Sequence, residues 1–588
     1  MSARLRSVAI AVAIAAAATA YDPRAPAADP KRALGLLSAI VALSVSLARP
    51  SRERRALPPA VLAFVAFTVW SGLTLLWGVP AGVRDLASWV AGAALALAMS
   101  QRPLVEARRD AEHAAALAGS AAALVALGQR ASGARGIFVH GGQGNANWLG
   151  LLLAVTLPLS VGLVVRLHDE GAKRARAAAM GAVLLQLAGL VLSHSRVAWM
   201  ASALALGGMA ISLVLKRIGA RRRAPVIAGV VAAVALSFGF VRAPSLRGAP
   251  EAPPVVAEGD DVPVPVAFQG RVFIWRSSLD AAVASLPVGA GLGGFAHAYL
   301  DAQGARLAVL EPKVASRRFL NATTAHSDWI EVLVDGGLPA LALLALAIFG
   351  GMMAAARSGW IEGAGALFAL AVCAAGDSPM RQPGLVLLVG LVLGACTDLA
   401  GNKARSRAPA ALAPTLRAGL LLASAWLLAV SVSGWIASRR LTAAKEALPE
   451  ARRALLASAA RLDPRSGEIA LERGLFELAS GDLEAALAGL RRSRTLLANV
   501  GTDVAIGNAE AELGRHEAAV EAYRAALRHH PGSFRAHANV TQPLLALGRL
   551  EEAEAHLAVA RSLWPGHPRL GEMAEQLRRA RIDRATRP

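Results

Sequence analysis

Between Gly270 and Gly337 the chain gathers Arg271, Arg276, Arg306, Lys313, Arg317, Arg318 and His326 in a single connection between hydrophobic stretches. A connection of that length is seldom only a linker. A neutral imidazole can take the proton of an attacking hydroxyl near neutral pH. Guanidinium groups bind phosphate oxygens bidentately and stay charged while doing so. These residue types suit transfer chemistry on an anionic, lipid-linked phosphate. His326 opens the run His326-Ser327-Asp328-Trp329-Ile330-Glu331, and Trp329, Ile330, Leu333 and Leu338 are spaced to bury one face of a helix entering the membrane. That spacing puts the imidazole at the outer mouth of the helix. A histidine that only caps the helix or touches lipid headgroups has the same pattern, so periodicity alone leaves both readings open.

Other candidates are weighed in the same way. Arg196 follows Ser193-His194-Ser195 at the outward start of a span, where positive charge is scarce, and Arg271 and Arg276 lie five residues apart beside Trp275. Ordinary interfacial snorkelling also places arginines at such positions. In Gly144-Asn145-Ala146-Asn147-Trp148, Asn145 and Asn147 suit hydrogen bonds to sugar hydroxyls, and a plain helix cap fits them equally well. Asp328, Glu331 and Asp335 form an acidic cluster with no second histidine at ligand spacing, so the chemistry is expected to need neither metal nor cofactor. Gly289-Ala290-Gly291-Leu292-Gly293-Gly294 has the form GxGxxG, but no strand precedes it and no βαβ unit follows. It therefore reads as a close-packed turn where backbone and sugar can approach, not as a dinucleotide site.

The elements that must position these groups are membrane spans and helical repeats. With 588 residues, 55% of them hydrophobic and only 18% charged, and a mean hydropathy of +0.46, the chain is a membrane protein. Apolar runs recur near 5–20, 33–48, 57–78, 83–100, 111–128, 147–165, 177–193, 197–215, 224–241, 338–356, 360–376, 384–400 and 416–437. They give roughly 12–13 spans. Alternate loops are basic: Arg4 and Arg6; Arg49, Arg52, Arg54 and Arg55; Arg102, Arg108 and Arg109; Arg166, Lys173, Arg174 and Arg176; Lys216, Arg217 and Arg221 to Arg223; Lys403, Arg405 and Arg407. The positive-inside rule puts these in the cytoplasm and the other set, including the long 242–337 loop and the segment after Ile436, in the periplasm. Topology thus absorbs most of the +21 net charge, and nucleic-acid binding is not expected. The first apolar run ends Ala18-Thr19-Ala20 and resembles a cleavable signal, but it is read as retained. Cys373 and Cys396 both lie in apolar stretches and read as packing residues.

Within the long loop, residues 243–267 are a proline-rich lead-in, and Arg271 to Ser285 has the apolar spacing of a helix ended by Pro287 and the glycines beyond. After the last span a period of about 34 residues appears. Leu513-Gly514-Arg515 is echoed by Leu547-Gly548-Arg549 and Pro531 by Pro565, while Ala518, Tyr523, Ala526 and Pro531 fit the tetratricopeptide pattern. About three helical hairpins and a final helix near 570–582 are expected. The fold class is all-α: a polytopic bundle (1–241 and 338–437), a periplasmic loop (242–337) and a tetratricopeptide-type solenoid (438–588).

Five landmarks in order, Gly144 to Trp148, Ser193 to Arg196, Gly270-Arg271 with Trp275, Pro287 to Gly293, and His326 with Gly337, resemble the O-antigen ligase and polymerase superfamily of membrane glycosyltransferases. The resemblance covers about 200 residues. It implies transfer of a glycan from undecaprenyl diphosphate to an acceptor hydroxyl, with inversion and without metal. By it, His326 activates the acceptor, and Arg196 and Arg271 hold the diphosphate; Arg276, Asn145, Asn147, Trp275, Arg317 and Arg318 are expected to bind substrate. Ser327 stands where the family often has asparagine, and the repeats are an addition that binds a protein partner. The leading expectation is a ligase to lipid A-core in the bacterial inner membrane. A repeat-unit polymerase, a protein O-oligosaccharyltransferase and a non-catalytic scaffold displaying repeats follow in that order, with a transporter last.

Overall fold

A computed structural model describes residues 3–47, 57–135, 139–217, 269–396 and 412–586. The expected span at 224–241, the lead-in at 243–267, the basic residues Arg49 to Arg55 and Arg221 to Arg223, and the basic residues Lys403 to Arg407 lie outside these ranges. The described regular structure is helical throughout. The helices are α1 (Ala3–Thr19), α2 (Ala28–Leu47), α3 (Pro59–Thr74), α4 (Val83–Ser100), α5 (Leu104–Ala131), α6 (Ala146–Asp169), α7 (Lys173–Leu192) and α8 (Arg196–Arg217). There follow α9 (Gln269–Ser285), α10 (Phe295–Ala308), α11 (Pro312–Arg318), α12 (Asp328–Arg357), α13 (Ile361–Gly376), α14 (Pro383–Ala395) and α15 (Leu412–Glu446). The series ends with α16 (Pro449–Leu462), α17 (Gly467–Ala479), α18 (Leu483–Leu496), α19 (Val500–Glu512), α20 (His516–His529), α21 (Phe534–Ala546), α22 (Leu550–Leu563) and α23 (Arg569–Thr586).

Every apolar run in the sequence except 224–241 overlaps one of these helices. Among the described residues, 7 helices are long and apolar enough to cross a membrane, and Ile10–Thr19, Pro59–Thr74, Ile361–Gly376 and Pro383–Ala395 are shorter apolar helices. The chain forms two compact units, Met1–Leu73 with Val83–Val272 and His326–Trp435, and Thr74–Gly82 with Phe273–Ala325 and Ile436–Pro588.

In the first unit α13 packs against α6, α8 and α12, and α14 packs along α4. Interhelical polar bonds hold the bundle where water cannot compete: Thr156 Oγ1 donates to Gln186 Oε1 at 2.9 Å and Gln186 Nε2 donates to Ser160 Oγ at 2.8 Å. On the basic-loop side, Arg166 pairs with Glu112 and Arg109 with Glu170, both at 2.7 Å. Helix α12 kinks at Gly337 (φ 66°, ψ −164°), a backbone region that only glycine enters readily.

In the second unit Leu441 and Ala444, in the last turns of α15, share a core with Leu456, Ala459 and Ile469. The hairpins α17–α18, α19–α20 and α21–α22 then stack, with α23 last. The glycines of the recurring turns, Gly481, Gly514 and Gly548, all have positive φ, which is why the Leu-Gly-Arg signature recurs. Segments 273–325 and 436–588, which the charge rule puts on one side of the membrane, are gathered in this same unit.

The repeats should be sensitive to acid. Burial, and next the charge of His537, push His530 down to about 4, and the same two causes lead in pushing His556 to about 4. Burial also lowers His537. The unfolded chain binds these protons near pH 6.5, so stability is fully present above that value and is lost as pH falls from about 6.5 toward 4. Circular dichroism melts in detergent should show the repeat transition dropping by several degrees between pH 7 and pH 5. A transition that stays put across that window would contradict the burial of the three imidazoles.

Candidate active site

The site lies in the first unit, where α12 starts. Three consecutive side chains fasten that start to the end of α13 and the turn beyond it. Ser327 Oγ donates to the Ala374 carbonyl at 3.2 Å, Asp328 Oδ2 accepts from the Met380 N–H at 2.8 Å, and Trp329 Nε1 donates to the Ala371 carbonyl at 3.1 Å. The Asp328 N–H adds a 3.3 Å bond to the Asp377 carbonyl. His326, just before these anchors, adopts a left-handed φ of 49°. Few non-glycine residues do so, and here the surrounding bonds hold it there.

The group that His326 meets is Asp377, which follows α13. The Asp377 side chain is only 6% exposed, and its Oδ1 lies 3.7 Å from His326 Nδ1 while 41% of the histidine side chain stays open. The same oxygen accepts from the Ser378 N–H at 2.9 Å. The other carboxylate oxygen, Oδ2, stands 3.5 Å from Arg271 Nη2, and Arg271 Nη1 donates to the Gly376 carbonyl. One carboxylate thus faces His326 with one oxygen and Arg271 with the other.

Arg196 is the first residue of α8. Its neighbour Val197 packs on Gly376, so closely that a Cβ there would stand 3.1 Å from Val197 Cγ2. The Arg196 guanidinium has no hydrogen-bond or ion-pair partner among the described residues. The preceding corner is shaped by Ser193 Oγ, which accepts from the Ser195 N–H at 3.2 Å, and by His194 with φ 50°. Gly150 of α6 abuts Ser193 and Ser195, which brings the start of α6 to the same place. There Asn145 is the helix cap, its Oδ1 accepting from the Asn147 N–H at 2.7 Å. Its side-chain oxygen is engaged in capping, whereas the Asn147 side chain has no partner among the described residues. Arg271 and His326 thus meet at Asp377 after α13, the start of α8, which carries Arg196, packs on Gly376, and α6 near its start abuts the Ser193–Ser195 corner.

The acidic cluster read from the sequence has structural partners. Glu331 Oε1 lies 2.5 Å from Arg381 Nε, and Arg381 Nη2 lies 3.2 Å from Asp85. Among the described residues, no group of three or more His, Cys, Asp or Glu is placed to hold a metal ion.

The remaining candidates lie in the second unit: Trp275 and Arg276 on α9, and Arg317 and Arg318 in the last turn of α11. Arg306 is neutralised by Asp280, with Nη2 to Oδ1 at 3.0 Å. The glycine turn is close-packed as expected, but what approaches it is the chain's own backbone. Val79 donates to the Leu292 carbonyl at 3.0 Å, and Leu292 donates to Thr74 Oγ1 at 3.1 Å.

Asp377 was not among the residues singled out from the sequence. The available signal was an acid directly after the apolar 360–376 run, at a span end where a buried carboxylate needs a cationic partner.

Residues 181–345 match the family described as O-antigen ligase, and residues 510–577 match the tetratricopeptide repeat. Arg196, Arg271 and His326 fall inside the first match, and Asn145, Asn147 and Asp377 outside it. No curated protein matches the chain. Among solved structures, a chain in the crystal structure of the APC/C hetero-tetramer Cut9-Hcn1 is similar at 11% identity, over 94% of this chain and 84% of that one, with a TM-score of 0.22. A likeness that loose carries no argument. The family match and the apolar helices support a membrane glycosyltransferase-like function. The chain is a membrane protein that joins an O-antigen ligase family domain at 181–345 to C-terminal tetratricopeptide repeats.

Proposed function

We propose that the protein transfers a polysaccharide from undecaprenyl diphosphate to a hydroxyl of lipid A-core at the periplasmic face of the inner membrane. The observation that carries this reading is the single carboxylate of Asp377 facing both His326 and Arg271, with Arg196, unpaired among the described residues, on the helix that packs against Gly376. An Asp beside Nδ1 favours the tautomer with its proton there, which leaves Nε2 as the base. The acceptor oxygen attacks the anomeric carbon and gives its proton to Nε2 of His326. The bond from that carbon to the diphosphate oxygen breaks on the opposite face, so the configuration inverts. Undecaprenyl diphosphate departs with the electron pair, its charge stabilised by Arg196 and Arg271. The donor bond supplies the energy, and Asn147 faces the sugar.

Purified protein in liposomes with undecaprenyl diphosphate-linked glycan and lipid A-core tests this. The expected product is glycan on lipid A-core with matching release of undecaprenyl diphosphate; release without transfer to that acceptor would sink the ligase reading. Asp377→Asn should slow transfer about 10²-fold, because it orients His326 and does not react itself. Adding it to His326→Ala should cost much less than the product of the two single losses, the remainder passing through Arg271. Losses that multiply in the double variant would show that Asp377 acts independently of the histidine.

A further inference from the structure

Arg271 and His326 both reach Asp377, so the stretch of chain joining them is a closed loop with both ends in the first unit. Its middle lies in the second unit, packed on the repeats. The contacts run along successive hairpins. His297 Nε2 lies 3.3 Å from the Arg494 carbonyl on α18, and Asp301 Oδ1 lies 2.9 Å from His529 Nε2 at the end of α20. The Phe319 ring stacks on His530 with centroids 3.9 Å apart and planes at 11°. Backbones also meet without intervening side chains: a Cβ at Gly304 would collide with the Arg528 carbonyl, and one at Gly532 with the Pro312 carbonyl. Close backbone approach at two separate glycines, together with a stacked ring and a side-chain hydrogen bond, makes a shaped seat for this segment, which has no apolar span of its own to anchor it.

We propose that the partner of this solenoid edge is the chain's own α10–α11 segment, and that the repeats serve as a cradle positioning the loop that carries Arg271 and His326 at its ends. The role rests on the transfer reading above; the docking does not. Fixing the middle of a closed loop limits the conformations its ends explore, and misplacement of reacting groups by about 1 Å can cost about 10²-fold in rate. Asp301, Phe319, His529 and His530 are thus positioning residues that do not contact substrate.

The test uses the full-length protein in liposomes. Asp301→Cys/His529→Cys is treated with a short, reducible bifunctional thiol reagent, which spares the buried Cys373 and Cys396. Cross-linking within one chain is expected; its absence in a folded protein would overturn the docking. With Phe319→Ala added, the reduced protein should show kcat/KM about tenfold below wild type, and cross-linking should restore it. Only a role in holding the loop predicts rescue by a tether. Equal activity with and without the tether would overturn the positioning role while leaving the docking. Cross-linking of the cysteine pair together with a wild-type protein that transfers nothing would overturn the transfer reading and the role resting on it, and would leave the docking intact.

Discussion

In His326→Ala, transfer of glycan to acceptor should fall about 10³-fold while the donor still binds, since general-base catalysis contributes on that order. The substitution removes an imidazole that is 41% exposed. The anchors beside it, Ser327 to Ala374, Asp328 to Met380 and Trp329 to Ala371, remain to hold the start of α12. Alanine also accepts the left-handed backbone at 326 less readily than histidine does, so His326→Asn is the better-tolerated companion. Both variants should lose activity with wild-type yields in the membrane. Single-turnover rates on pre-bound donor measure the effect, and a variant retaining even a tenth of the wild-type rate would remove His326 from the chemistry.

Arg271→Ala and Arg196→Ala should each lose about 10²-fold, the scale of removing one stabiliser of departing charge, but they should differ in one respect. Arg271 is tied to the Gly376 carbonyl and Asp377, so its loss also leaves the buried carboxylate without its cation. Arg196 has no such tie. Arg196→Lys should therefore recover part of the rate as a point charge, and Arg271→Lys should recover little, because a lysine cannot reach both partners in a planar fork. Steady-state kinetics on the four variants check this. Equal rescue by lysine at both positions would show that the geometry around Asp377 does not matter.

Local patterns carried much of the fold. The spacing of Trp329, Ile330 and Leu333 announced a helix that begins at Asp328, and α9 runs Gln269–Ser285 where apolar spacing and Pro287 put a helix. The repeated Leu-Gly-Arg reflects turn glycines with φ near 70° at Gly514 and Gly548. What escaped depends on contacts far apart in the chain. Asp377 shows no periodic partner in the sequence; its meaning comes from Arg271 on α9 and His326 before α12, which meet its two carboxylate oxygens. That Asn145 caps α6 shows only in its bond to the Asn147 N–H, because the sequence suits a cap and a sugar contact equally. Arg306 is one of the basic residues of the loop, and only the structure shows Asp280 beside it. The seat for α10 and α11 on the repeats was hidden for a similar reason: Gly304 and Gly532 look unremarkable until two backbones meet there.

The most direct measurement is glycan profiling of a deletion strain complemented with wild type, His326→Ala or Arg271→Ala, separating polymer on lipid A-core from polymer on undecaprenyl diphosphate. A ligase predicts that both variants accumulate long polymer on undecaprenyl and carry none on lipid A-core. Single repeat units in place of polymer would identify a polymerase instead. Normal glycans with both variants would contradict catalysis at this site.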